Sequence, residues 1–164
     1  NITKNKFSEI FIILGHQSNV LKRVIHNFKV KFIINKEFRE GIASSISIGV
    51  DQLKEDVKGV MICLADMPKI SNKVYEKILK VFLESYNIKK PLIIAPKNNE
   101  TIGNPIIFSN HFFSSLKKLK GDQGAKNILK NNEQFIVYVE IKSKSIFQDV
   151  DDEIAYKKLI RNAY

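Results

Sequence analysis

The stretch MICLADMPKI, residues 61–70, decides the fold of this chain. Its first five residues are apolar enough for a buried strand, which ends at an acid, Asp66, followed by Met67 and Pro68. Proline fits neither a helix interior nor a central strand, so the chain must turn there. A carboxylate at the end of a buried strand needs water, a cation or hydrogen-bond donors. The stretch therefore predicts a core strand that ends in a binding group or in a capping group.

Two kinds of segment alternate on either side of this strand. Continuous apolar runs predict strands at 9–14, 30–34, 59–65, 92–95, 105–108 and 135–141, with a further short one at 146–150. Apolar residues at helical spacing predict helices at 19–28, 41–53, 72–85, 111–119, 122–130 and 151–161, the third capped by Ser71. This alternation is typical of a three-layer, Rossmann-like α/β domain with a mostly parallel sheet.

The composition limits the class of protein. The 164 residues are 44% hydrophobic, without repeat or linker, which predicts a single domain over residues 1–164. No apolar run reaches the ~20 residues of a membrane span, and no signal peptide opens the chain. The lone cysteine, Cys63, falls inside a predicted strand, so we expect a small core residue. A reducing, cytoplasmic location follows, with no membrane partner.

The formal charge of +10 favours anionic ligands. Nucleic acid is the less favoured of these, because only three of the basic residues are arginines and the lysines are scattered without interleaved aromatic residues. We therefore expect anionic small molecules as ligands and no nucleic-acid partner.

Ligands of open α/β sheets bind beyond the carboxyl ends of the strands. The residues that directly follow predicted strands are Gly15, His16, Asn35, Asp66, Lys97 and Asp149–Asp152. Asp66 suits a Mg²⁺ ion, which takes one or two carboxylates together with substrate phosphates. Capping of the next turn, or pairing with a lysine, explains its position equally well.

A second acidic group, DVDD at residues 149–152, follows another predicted strand. Asp149 and Asp151 project to the same side if the backbone there is extended. The alternative is that Asp151 or Asp152 caps the final helix, and both interpretations can hold, one for each acid.

Five short motifs stand in a fixed order: NKEFREGIASSISIG (35–49), ADMP (65–68), GNPIIFS (103–109), GDQGAKNIL (121–129) and DVDDEIAY (149–156). Together they resemble the MobA-like NTP transferase family, and within it the molybdenum cofactor cytidylyltransferase (MocA-like) branch. The resemblance implies Mg²⁺-dependent transfer of a nucleotide, CTP favoured, to a phosphorylated acceptor, with release of pyrophosphate. The molybdopterin cofactor is the implied acceptor, and a molybdoenzyme or a chaperone is an implied protein partner.

The resemblance also assigns residues to roles. Asp66 would be the catalytic metal ligand, completed by Asp151 in preference to Asp149. The implied nucleotide-binding residues are Gly15, His16, Gly41, Ser44, Ser45 and Asp66. The implied acceptor-binding residues are Gly103, Asn104, Pro105, Gly121, Asp122 and Gly124. Without the resemblance, the two serines read as ordinary helix-capping residues and His16 as a polar loop residue.

One element of the family is absent. Its members begin with a central strand and a glycine-rich loop that cradles the triphosphate, whereas this chain opens at NITKNKFSEIFIILGH, which aligns after that loop. We expect an N-terminally truncated domain with an open sheet and an exposed apolar groove. Two alternatives to the enzyme remain open, namely a non-catalytic binder of the molybdenum cofactor and a basic α/β interaction module.

Overall fold

The computed structural model describes residue 2 and residues 7–161, so parts of the predicted domain, residues 1, 3–6 and 162–164, lie outside the described residues. The strands are β1 Phe11–Leu14, β2 Lys31–Ile34, β3 Gly59–Ile62, β4 Ile93–Asn98, β5 Thr101–Ile102, β6 Ile106–Ser109 and β7 Ile136–Glu140. The helices are α1 Ser18–Val24, α2 Ile42–Asp51, α3 Asn72–Ser85, α4 Phe113–Lys117, α5 Lys126–Lys130 and α6 Glu153–Arg161. Short 3-10 turns lie at Phe38–Glu40, Asn110–Phe112, Glu133–Phe135 and Lys144–Phe147. None of the helices in these ranges is long and apolar enough to cross a membrane.

The strands form two sheets. β1 and β2 pair in parallel, and the larger sheet runs β3-β6-β4, with β7 parallel to β4 on the other side and the two-residue β5 beside the end of β4. β6 is antiparallel to both β3 and β4, so β3, β4 and β7 share one direction. The mixed direction was not visible in the sequence, because a strand buried on both faces has the same apolar pattern in either direction.

The larger sheet separates two core clusters, as a three-layer fold requires. Residues of α3, among them Ile78 and Phe82, pack with Ile94 and Ile107 on one face. Residues of α2, α4 and α5 pack on the other face around Ile93, Ala95, Ile106 and Phe108. Alternate residues of β4 and β6 thus enter opposite clusters, which is the period of a strand. The predicted three-layer α/β architecture is confirmed.

A gap separates the two sheets. No other described strand pairs with the free edge of β1 or of β3, and among their apolar residues only Leu14 is buried. α2 crosses this gap: a β-carbon on Gly49 would lie 3.1 Å from Ile13 Cδ1 in β1. Val50, from the same helix, belongs to the cluster against which Val60 and Ile62 of β3 pack. In the described part of the chain no strand fills the gap between β1 and β3, and most of their apolar residues, which a continuous sheet would bury, are only half-buried.

Several predicted elements differ from the structure. The predicted strand at 146–150 is wrong, because residues 144–147 form a 3-10 turn. The helix predicted at 122–130 begins only at Lys126, since Gly121 and Gly124 adopt positive φ angles of 78° and 55° before it. Lys97 does not follow a strand but lies within β4, where it pairs with Glu100 at 3.0 Å. Ser71 occupies the N-cap position of α3 without a capping bond from its side chain.

Candidate functional site

Three of the predicted acids meet at one end of β3. Asp66 lies exposed in the turn after this strand, and its carbonyl oxygen accepts a hydrogen bond of 2.8 Å from the amide of Val150. This bond places the neighbours of Val150 beside Asp66. The pKa of the exposed Asp151 carboxyl is raised, chiefly by the negative charge of Asp149, with smaller contributions from desolvation and from Asp66. The acids are therefore close enough to repel one another.

Asp152 has a different role from its neighbours. Its Oδ1 accepts a hydrogen bond of 2.6 Å from the amide of Ala155, in the first turn of α6. This is the helix-capping contact that the sequence offered as the alternative for one of these acids. Asp152 is thus engaged with the helix, whereas Asp149 and Asp151 have no side-chain hydrogen bond or ion pair to any described residue.

The acids do not form a complete metal cage. Among residues 2 and 7–161, no three His, Cys, Asp or Glu side chains are arranged to hold a metal ion by themselves. A cluster of mutually repelling carboxylates with free oxygens is nevertheless a suitable partial site, because Mg²⁺ commonly keeps water and substrate phosphates as its remaining ligands. Asp66, Asp149 and Asp151 remain predicted ligands, and substrate phosphate and water would have to complete the coordination of the ion.

Two of the predicted nucleotide-binding residues, Gly15 and His16, directly follow β1. Gly15 has no space for a side chain, because a β-carbon there would lie 2.5 Å from Cβ of Phe38. The ring of the exposed His16 lies 6.1 Å from that of Phe38, centroid to centroid. Phe38 belongs to the turn that leads into Gly41 and α2. Close packing of this turn on Gly15 therefore brings the two ends of the predicted nucleotide site together.

The two predicted serines stand in the first turns of α2. Their hydroxyl oxygens both accept hydrogen bonds from the side-chain amide of Asn35, at 2.8 Å for Ser44 and 3.0 Å for Ser45. Ser44 also donates to the carbonyl oxygen of Gly41 at 2.8 Å. α2 has no side-chain N-cap, since Gly41 occupies that position.

A cavity of about 500 Å³ lies beside this helix start. Its wall is mostly apolar with a few polar groups, which is the usual character of a small-molecule site. Four of the predicted acceptor residues line it, namely Gly103, Asn104, Asp122 and Gly124. The remaining lining residues are Ile42, Ile46, Ile62, Leu64, Ile102, Ile106, Phe108, Gln123, Ala125, Lys126, Leu129, Lys130, Glu133 and Ile136.

The other two predicted acceptor residues lie apart from the cavity. Pro105 is fully buried. Gly121 lies towards α2, where its carbonyl oxygen accepts a hydrogen bond of 3.1 Å from the amide of Ala43. A β-carbon on Gly41 would collide with Asp122 and lie 2.6 Å from the Gly121 carbonyl oxygen. The predicted nucleotide side and the predicted acceptor side are thus in direct contact at this point.

The structure also identifies residues to which the sequence assigned no role. Asn35 was noted only as a strand-end residue, yet it is 3% exposed and makes three side-chain hydrogen bonds. Lys126 and Lys130 bring two positive charges to the cavity. Their spacing of four residues on a predicted helix was the available signal. No comparable signal existed for Asn35, because its partners are fixed only by tertiary structure.

The sequence of this chain matches a known protein family and a curated relative. The sequence profile of the family described as "MobA-like NTP transferase domain" matches residues 1–135. The purine catabolism protein PucB of Bacillus subtilis (strain 168) is 28% identical over 129 residues, which are 77% of this chain and 59% of PucB. The chain thus spans about three fifths of the length of that curated relative.

Solved structures share the fold at low sequence identity. Rv0371c of Mycobacterium tuberculosis H37Rv, solved as a complex with manganese, has a TM-score of 0.79 and 18% identity, over 95% of this chain and 80% of that chain. The 4-diphosphocytidyl-2C-methyl-D-erythritol synthase of Anaerococcus prevotii DSM 20548 has a TM-score of 0.73 and 11% identity, over 99% of this chain and 81% of that chain.

Proposed function

The chain belongs to the MobA-like NTP transferase family, and on that premise we propose that it transfers a nucleotidyl group from a nucleoside triphosphate to a phosphorylated acceptor. Pyrophosphate is the second product. CTP is the proposed donor, and a phosphorylated pterin of the molybdopterin type is the proposed acceptor. The observation that carries the proposal is the meeting of Asp66, Asp149 and Asp151, tied together by the hydrogen bond from Val150 to Asp66.

The acids supply the charge that such a reaction needs. Asp66 and Asp151, with Asp149 beside them, would hold a divalent cation. When bound, this ion would neutralise negative charge on the phosphates. Mg²⁺ is the proposed ion, and the manganese complex of the M. tuberculosis neighbour makes Mn²⁺ the second ion to test. A bound cation would offset the repulsion that raises the pKa of Asp151, so the cluster favours occupancy.

The nucleotide side of the proposed site would position the nucleoside. Gly15 and His16 lie against Phe38, in the turn that leads to Gly41, and Ser45 offers a hydroxyl from the first turns of α2. Such groups do no covalent chemistry, but they orient the nucleoside so that its phosphates reach the acids. Positioning and charge stabilisation supply most of the rate in phosphoryl and nucleotidyl transfer.

The acceptor side combines an apolar wall with two lysines. A flat heterocycle suits the isoleucine-lined wall of the cavity, with Asn104 and Asp122 available for hydrogen bonds to its edge. The ammonium groups of Lys126 and Lys130 favour an acceptor that carries phosphate. These residues support a phosphorylated, partly apolar acceptor, and they distinguish it from a free sugar, which would require more polar partners.

The triphosphate-binding element is proposed to precede residue 1. The gap between β1 and β3 has two free strand edges and half-buried apolar strands, which suits one additional parallel strand. A glycine-rich loop after that strand would lie at the same edge of the sheet as Gly15, Asn35 and Asp66. This proposal accounts for the gap, and it predicts that full turnover needs the added segment.

Pyrophosphate release tests the function. We would measure it for the polypeptide extended upstream of Asn1, with Mg²⁺, each of the four common NTPs and phosphorylated pterin or sugar acceptors. We expect release with CTP and the pterin phosphate, loss of turnover by at least a hundredfold in Asp66→Ala, and unchanged turnover in Asp51→Ala. Asp51 is a matched control because it is an exposed acid paired with Lys117 at 3.0 Å. Absence of release with every acceptor would overturn the enzyme proposal.

Two other outcomes would identify the alternatives. Binding of the pterin cofactor without pyrophosphate release would identify a non-catalytic cofactor binder. Salt-sensitive binding of DNA or RNA in place of nucleotide would identify a basic interaction module.

A further inference from the structure

Asn35 is a buried polar residue next to the serines of the proposed nucleotide site. It directly follows β2 and only 3% of it is exposed. A polar side chain buried to this extent must satisfy its donors and acceptors within the protein. Its partners are therefore informative about what it holds in place.

The orientation of the Asn35 amide is fixed by its neighbours. The backbone amide of Glu37 donates to Oδ1 at 2.9 Å, and a backbone N–H can only donate. The amide nitrogen must then face α2, where its two hydrogens go to the hydroxyl oxygens of Ser44 and Ser45. Both serine oxygens are thus acceptors in this contact.

The two hydroxyl hydrogens have different destinations. That of Ser44 is used within the protein, since Ser44 donates to the carbonyl oxygen of Gly41 at 2.8 Å or to that of Glu37 at 3.1 Å. Ser45 accepts from Asn35, but within the described part of the chain its hydroxyl hydrogen has no acceptor. Ser45 is only half-buried, so this hydrogen can reach a ligand.

We infer that Asn35 is a positioning residue that makes Ser45 a hydrogen-bond donor to the nucleoside, while Ser44 is a structural residue. The inference rests on the proposed function and refines it. Because the Asn35 amide occupies the acceptor side of Ser45 Oγ, the hydroxyl selects an acceptor atom on the ligand, such as a base carbonyl oxygen, a ring nitrogen or a ribose oxygen. The two adjacent serines therefore differ in role.

An NMR titration of the chain with millimolar cytidine or guanosine tests this inference. Nucleosides carry no phosphate, so the measurement is independent of any triphosphate loop. We expect Ser45→Ala to weaken binding about five- to tenfold, by loss of one hydrogen bond, and Ser45→Thr to retain it. The control Ser47→Ala on the same helix, whose hydroxyl donates to the Lys117 carbonyl, should stay within about twofold of wild type.

Asn35→Asp separates positioning from simple structural support. An aspartate at this position accepts hydrogen bonds from both serines, so it would take the Ser45 hydrogen away from the ligand. We expect the same loss as for Ser45→Ala and no further loss in the double variant Asn35→Asp/Ser45→Ala. An additional loss in the double variant would show that Asn35 only supports the fold and would overturn its positioning role.

The single serine variants keep the test decisive if Asn35→Asp does not fold. Equal binding by wild type and Ser45→Ala, or a loss confined to Ser44→Ala, would overturn the inference and leave the proposed function intact. Absence of any nucleoside or nucleotide binding by the wild-type chain would overturn the proposed function, and this inference with it.

Discussion

The amide of Val150 donates a hydrogen bond to the carbonyl oxygen of Asp66 over 2.8 Å. This contact joins two loops that are far apart in sequence and gives each a fixed position relative to the other. Because Val150 stands between Asp149 and Asp151, the bond sets how closely all three acids approach. The position of the proposed cation therefore depends on one backbone hydrogen bond as well as on the carboxylates.

Val150→Pro removes that donor without removing any acid. We expect it to abolish most of the increase in melting temperature that Mn²⁺ or Mg²⁺ gives in the presence of CTP, whereas Val150→Ala, which keeps the N–H, retains the increase. Differential scanning fluorimetry with and without metal measures both. An undiminished metal effect in Val150→Pro would show that the contact does not organise the acids.

The gap between β1 and β3 predicts uneven amide protection. We expect the amides of β1 and β3 that face the gap to exchange with deuterium much faster than those of β4, which is paired on both edges. Adding the proposed preceding strand and loop should slow their exchange and raise the melting temperature. Hydrogen exchange read by NMR or mass spectrometry tests this, and equal protection of β1, β3 and β4 in the 164-residue chain would contradict an open sheet.

Gly41 and Gly121 predict different costs for the same substitution. Gly41 has φ 95° and ψ 176°, a backbone conformation essentially restricted to glycine, and a β-carbon there would meet the Gly121 carbonyl. Gly121 has φ 78° but open space around it. We expect Gly41→Ala to lower the free energy of unfolding by about 3 kcal/mol and Gly121→Ala by about 1 kcal/mol. Urea denaturation measures both, and equal losses would contradict the steric argument.

Cys63 predicts a pH effect of known sign. Burial raises the pKa of its thiol to about 12 from an ordinary value of 9.0. The folded chain therefore keeps a proton that the unfolded chain releases, so this thiol reduces stability as the pH rises from 9.0 towards 12. At pH 8 we expect the half-buried Cys63 to react with a thiol reagent much more slowly in the folded chain than after unfolding. Fast reaction of the native chain, followed by absorbance, would contradict this, and Cys63→Ser provides the blank.

The sequence was sufficient where local pattern decides structure. The apolar stripe of α3 gave its bounds, residues 72–85, because an amphipathic helix repeats its signal at every turn. The alternation of elements also placed Gly15 and Asn35 directly after strands, where the structure has them. In these places the residue types and their spacing determine the local structure.

The remainder depended on tertiary structure. The opposite direction of β6 leaves no trace in a strand that is apolar on both faces. The 3-10 turn at residues 144–147 replaced a predicted strand where Ser143 accepts a bond from the amide of Ser145. The different roles of Ser44 and Ser45 depend on Asn35, and the separation of Asp152 from Asp151 depends on the capping contact with Ala155. Such partners are set by the fold and cannot be read from neighbouring residues.

Binding of Mn²⁺ in the presence of CTP tests the central claim most directly. Electron paramagnetic resonance counts free Mn²⁺ during titration, and it can compare the wild-type chain with Asp66→Asn, Asp151→Asn and the control Asp51→Asn. The account predicts one nucleotide-dependent site in the wild type and in Asp51→Asn, weakened at least tenfold in Asp66→Asn and Asp151→Asn. A nucleotide-dependent Mn²⁺ site that both substitutions leave unchanged would contradict the account.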